Sequence, residues 1–219
     1  MTKRLVAVAA LLLIVVAGLA AAIWYRTGVR DPVIVKVDGV PIHESQAEAR
    51  IAGIAAVHKD IASTLGPDWR SLVLQSLVDD VLMQQEARRA GIEVIDQDVD
   101  ASLDSLRSKF PSEADWRRFL EEQGIDQTEL ERRIRLQLVG SRVYEEVTAA
   151  VAPTEDELRA YYRAHESDFT VDGKVQPFLE VRNSIEDKVT KQMRDEAFGT
   201  WLQQRRSEAD IVVVSDEWR

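Results

Sequence analysis

A mainly α-helical domain with a small β-sheet, preceded by one transmembrane helix, is the fold class this sequence predicts. Three observations carry it. Aromatic residues make up only 6% of the 219, with ten Gly and six Pro, a helix-rich composition rather than that of a β-sandwich. Apolar residues recur at three- and four-residue spacing in seven separate stretches. Strand-like runs are confined to Val33–Ile42 and Ile211–Val214.

The N-terminus is a distinct unit. Leu5 to Trp24 is 20 residues without a charge, long enough as a helix to cross a bilayer core of about 30 Å. Lys3 and Arg4 precede it, and Trp24 and Tyr25 stand where interfacial aromatics stand. Ala20-Ala21-Ala22 also resembles a signal-peptidase site, but signal peptides carry shorter apolar regions, about 7–15 residues, so the length favours an anchor. The expected organisation is an N-terminal tail over 1–4, an anchor over 5–25, a tether over 26–31, one domain over 32–214 and a tail over 215–219, with flanking charges that do not fix the orientation.

In VIVKVDGVPI, Asp38-Gly39 separates two apolar runs, a hairpin signal. A lone hairpin is marginal in water, and Ile211–Val214 is the one strand candidate left to pair with it. Ser45-Gln46-Ala47-Glu48 reads as a capping box opening a helix to about Leu65. From Pro67 a second helix carries Leu74, Leu77, Val78, Val81 and Leu82 on a broad stripe, which makes it central; Asp79 and Asp80 are expected at its edge, facing water. Gly91 ends it. Asp96 or Asp98 caps the next helix, Ser112 to Gln123 is short and stopped by Gly124, and Asp126 opens another. That last helix has a second apolar face at Leu136, Val139, Val143 and Val147. Thr154 and Glu157 form a second capping box, 170–176 reads as a loop, and Pro177 starts a final helix ending near Ser207.

The composition excludes several functions. With no Cys, thiol catalysis, disulfides and zinc–thiolate sites are absent. Net charge is −10, and −12 once Lys3 and Arg4 are set aside (26 basic, 38 acidic); phosphate neutralisation needs clustered cations, so nucleic acid is a poor partner. His43, His58 and His165 lie on separate segments without metal-ligand spacing. Glu121-Glu122, Glu145-Glu146 and Asp79-Asp80 are helix neighbours that diverge rather than converge. No phosphate loop or nucleophile elbow occurs. No cofactor, metal or catalytic residue is expected.

The ordered set of motifs resembles the SurA/PpiD/PrsA group of extracytoplasmic folding factors. VIVKVDGVPIHESQAE is similar to that group's opening, and LVLQSLVDDVLMQQEARRAGIEVIDQDVD to its core motif. FPSEADWRRFLEEQGIDQTELERRIRLQL continues in the same register. PTEDELRAYYRAHESDF and PFLEVRNSIEDKVTKQMRDEAFGTWLQQRRSEADIVVV resemble the helices that leave and re-enter the domain. Most members carry a parvulin isomerase domain, of order 90 residues, at the position where this chain has only Thr170 to Gln176, seven residues too few to form a core. The resemblance therefore implies a non-catalytic relative of the peptidyl-prolyl isomerases. It would be an ATP-independent chaperone anchored in the bacterial inner membrane by Leu5–Trp24, binding unfolded or nascent polypeptides on the outer side. The alternative is an adaptor or assembly subunit for one folded partner. Large apolar residues are the candidates for polypeptide contact: Trp116, Phe119 and Leu120 on the short helix, with Tyr161, Tyr162 and Phe169. The acidic surface would favour basic clients.

Overall fold

β1 (Val33–Val37) and β2 (Val40–His43) form an antiparallel hairpin around Asp38 and Gly39, both at positive φ (50° and 79°). Asp and Gly adopt that geometry most readily. The computed structural model describes residues 31–57 and 66–218; the expected anchor and cytoplasmic tail lie outside them, as does the expected end of the first helix at 58–65. Among the described residues no helix is long and apolar enough to cross a membrane. β5 (Ile211–Val213) pairs with the hairpin as expected from sequence, and the strand it joins is β1, antiparallel, Lys36 opposite Val212, giving the order β2-β1-β5. Asp38 also clasps the incoming strand. Its N–H donates to the Asp210 carbonyl (2.9 Å) and its carboxylate accepts from Asp210 N–H (2.8 Å). A bulge between Val33 and Val35 lets the sequence neighbours Ile34 and Val35 both be buried.

Seven helices follow among the described residues. α1 (Glu44–Val57) begins two residues earlier than a Ser45 cap implies, and Ser45 does not cap it. Asp31 accepts from both the Ser45 N–H (2.9 Å) and hydroxyl (2.7 Å), while Gln46 accepts from His43 N–H (2.8 Å). Ser45 is already inside the helix, so the Asp31 carboxylate caps its N–H and its hydroxyl donates outward instead of accepting as a cap. α2 (Trp69–Ala90) starts after Pro67, which lies in the preceding turn. Its stripe Leu74, Leu77, Val78, Val81 and Leu82 is buried as expected, and it packs against the sheet, α1, α5 (Gln127–Val147) and α7 (Phe178–Glu208).

Asp79 and Asp80 do not face water. Asp79 takes a bidentate pair from Arg206 of α7 (2.6 Å each) and Asp80 pairs with Arg50 of α1. They edge the stripe as expected, but the edge is where two other helices dock.

α3 (Asp96–Arg107) is capped by Asp98, whose carboxylate accepts from Ile95 N–H (3.0 Å). α4 (Glu113–Gln123) is capped by Ser112 and ends at Gly124, φ 62°. With α5 these helices enclose a second core of Val99, Leu103, Trp116, Leu130 and Ile134. α6 (Glu155–Ala164) has the expected Thr154–Glu157 capping box and packs on α7 through Leu158, Phe178, Val181 and Ile185, a third core. Between α6 and α7 the residues read as a loop, 170–176, contain a hairpin: β3 (Thr170–Val171) and β4 (Lys174–Val175), turning on Asp172-Gly173 at positive φ. The turn chemistry repeats that of Asp38-Gly39, and the strands are too short to carry an alternation signal. The Tyr162 hydroxyl donates to Gln176 carbonyl (2.7 Å) and holds the hairpin to α6.

The residues read as a tail, 215–219, also differ. Asp216–Trp218 forms a 3-10 turn that inserts Trp218, 9% exposed, into the core shared by the sheet and α2. A lone Trp after a strand has no periodicity to betray it.

The Asp79–Arg206 pair is bidentate and part-buried, so removing Arg206 leaves the more buried Asp79 carboxylate without its partner. Arg206→Ala is expected to destabilise by about 2 kcal/mol and lower the Tm by about 4–8 °C. Asp79→Ala/Arg206→Ala should recover part of that loss, both read by thermal denaturation followed by circular dichroism.

Candidate functional site

α1 does not lie flush on α2 and α5. The three helices leave a groove of about 930 Å³. Ile54 of α1, Leu77, Val81 and Met83 of α2, and Leu136 and Val139 of α5 make it apolar. Leu77 and Val81 are core residues whose edges form the floor, whereas Ile54, Met83, Leu136 and Val139 are half-exposed. α1 packs on the first core through Ala47, Ile51 and Ile54, and beside the groove it meets its neighbours through polar contacts. Arg50 reaches Asp80, and Arg133 donates to the Ala49 carbonyl (3.4 Å). Gly53 admits that guanidinium: a β-carbon there would sit 3.3 Å from Arg133 Nη1. On the opposite wall a β-carbon at Gly140 would meet Met83 Sδ at 3.5 Å, ordinary contact with a flexible thioether.

The rims are cationic. Arg50, Arg132, Arg133 and Arg135 line the groove, with Asp80 the one lining carboxylate. Glu129, at the base of the rim, accepts from Arg132 (2.7 and 2.9 Å) and from Arg133 (2.8 Å). The Arg132 bond above all holds its carboxyl down at about 2, well below the ordinary 4.5, with Arg133 adding to it against the opposing effect of partial burial. Burial dominates at Asp80 and raises its pKa, although Arg50 opposes the shift. Farther along α5, Arg135 holds the Val94 carbonyl (2.7 Å) and Asp96 (2.6 Å), and Arg142 holds the Glu93 carbonyl and Asp98 (2.9 Å). These contacts clamp the α2–α3 connection onto α5 and set the groove wall. The Arg142 bond, then the Ile95 N–H, lowers the Asp98 pKa.

The residues singled out from sequence fall elsewhere, in two places rather than one. Trp116 is 3% exposed, packed edge-on to Phe110 (5.3 Å between centroids) and beside Phe119 (5.7 Å). It belongs to the second core and offers only an edge to a shallow polar depression; Phe119 and Leu120 are half-exposed around it. Tyr161, Tyr162 and Phe169 flank the third core, Tyr162 lying 5.8 Å from Phe169 and 5.6 Å from Phe178, with Tyr161 stacked on His165. No sequence pattern groups the groove residues, because their side chains come from three helices. The signal present was the second apolar face of α5, Leu136 and Val139, beside three arginines. Among the described residues no three His, Asp or Glu side chains converge to hold a metal ion.

Residues 1–144 match the family described as the SurA-like N-terminal domain, and the chain belongs to that family. No curated protein matches it in sequence. A solved structure from the work on PEB4 and Cj1289, two structurally related SurA-like chaperones of Campylobacter jejuni, matches with a TM-score of 0.59. Identity is 11%, over 84% of this chain and 99% of that one, so the likeness is one of fold. No parvulin domain interrupts this chain between α6 and α7, where the β3–β4 hairpin stands.

The Glu129 carboxyl has a folded-state pKa below its ordinary value, so its stabilisation is complete above about 4.5 and disappears as pH falls through about 2. Urea midpoints of the native protein and Glu129→Gln are therefore expected to differ most above pH 4.5 and to converge as pH approaches 2.

Proposed function

We propose that this chain is an ATP-independent chaperone that holds unfolded or nascent polypeptides on the outer side of the bacterial inner membrane, with Leu5–Trp24 as its anchor. The open apolar groove between α1, α2 and α5 carries this reading. It lies in a fold shared with proteins described as SurA-like chaperones. Client apolar side chains would displace water from Ile54, Met83, Leu136 and Val139, at about 25 cal/mol per Å², partly offset by the ordering of the client. Such binding is weak per site and suits transient holding. Phe119, Leu120, Tyr161, Tyr162 and Phe169 would extend the apolar contact beyond the groove, and the buried Trp116 would support Phe119 from beneath.

Residues 170–176 contain no His, Cys or Ser, and seven residues are too few to build a catalytic pocket around an acid or base. A prolyl-isomerisation assay on a tetrapeptide is expected to return the uncatalysed rate; acceleration abolished by a point mutation would refute the non-catalytic reading.

The chaperone reading is tested with the full chain in phosphatidylcholine nanodiscs, added to several unrelated proteins diluted from denaturant while light scattering is followed. Suppression across unrelated clients is expected near stoichiometric amounts. Gly140→Leu, which fills groove space against Met83, is expected to raise the amount required about tenfold, the equivalent of 1.4 kcal/mol, with the Tm nearly unchanged. Activity toward no client, with one protein captured stoichiometrically, would instead identify an adaptor.

A further inference from the structure

We propose, resting on the client-groove reading, that the groove selects apolar polypeptide segments flanked by acidic residues. The client's carboxylates would meet Arg50 and Arg132 on the two rims and its apolar side chains the floor. The chain as a whole carries −10, so its long-range field repels anions. The groove is a local exception. Four guanidiniums line it, and the carboxylates paired with them number three: Asp80, Glu129 and Asp96. Glu129 is divided between Arg132 and Arg133, so neither is fully neutralised. The Arg132 side chain remains 46% exposed and that of Arg50 35%, which leaves each N–H directions for an incoming acceptor.

Guanidinium pairs with carboxylate in a bidentate fork, and its stem lies along apolar surface, so one residue serves both parts of such a client. Ion pairs beside a low-dielectric floor are screened less than those on open surface, where the Debye length is about 8 Å. The net charge of the chain thus governs approach, and the rims govern capture. This reverses the preference for basic clients that net charge alone implies.

The test uses the full chain in phosphatidylcholine nanodiscs and three peptides with one apolar core, one neutral fluorophore and flanks of Asp, Asn or Lys, followed by fluorescence anisotropy. The Asp-flanked peptide is expected to bind about tenfold tighter than the Asn-flanked one at low salt and to lose that advantage at high salt. Arg132→Gln, which leaves Glu129 paired with Arg133, should weaken the Asp-flanked peptide more than the Asn-flanked one and so remove most of the advantage. Asp80→Asn, close in shape, should strengthen binding of the Asp-flanked peptide. Equal binding of all three peptides, or tightest binding of the Lys-flanked one, would overturn the charge selection and leave the client groove standing. Binding of none would overturn the client groove itself. Saturation by decanoate with no peptide bound would assign the rims to an anionic amphiphile and overturn the inference.

Discussion

The hairpin β1–β2 cannot stand alone, and the strand that completes it lies about 170 residues farther along, at Ile211–Val213. Everything between must return the chain to its start. α2 makes this possible by serving as the common wall: the sheet covers one side of its stripe, and α7 docks alongside through Arg206 and Asp79 before delivering β5. Trp218 then seals the same core from the far end of the chain. Asp38 ties the arrangement together, as turn residue and as clasp on Asp210.

Because the middle of the chain is committed to that return, the apolar residues gather in three small cores instead of one. The elements between the cores meet through arginine. Arg50, Arg133, Arg135 and Arg142 each span two segments, to a carboxylate or to a backbone carbonyl. A guanidinium needs room and cannot be packed like leucine, so a seam made of such contacts keeps space beside it. Along α1 that space is the groove, with Gly53 making room for the Arg133 guanidinium and Gly140 leaving open space beside Met83. The apolar floor and the cationic rims therefore share one structural cause.

The β3–β4 hairpin has a related economy. α6 and α7 already share a core through Leu158, Phe178 and Ile185, and Tyr162 fastens the hairpin by one hydrogen bond. Seven residues suffice to connect two helices that need nothing further between them.

Sequence by itself determined the elements that local chemistry dictates: the Asp-Gly hairpin, the helices with their Ser, Asp and Thr caps, the glycine stops and the strand that had to pair with the hairpin. Period and turn chemistry are properties of neighbours along the chain, so they are legible there. The tertiary structure decided what depends on residues far apart. Asp79 and Asp80 look like a solvated edge until Arg206 and Arg50 arrive from other helices; Asp31 overrules Ser45 from 14 positions away; Trp218 becomes core only once the ends meet. Trp116 shows the converse, since a large aromatic on a short helix has the same spacing whether it faces a client or, as here, Phe110 and Phe119. The groove belongs wholly to this second kind, because a cavity is a relation between three helices and none of their sequences contains it.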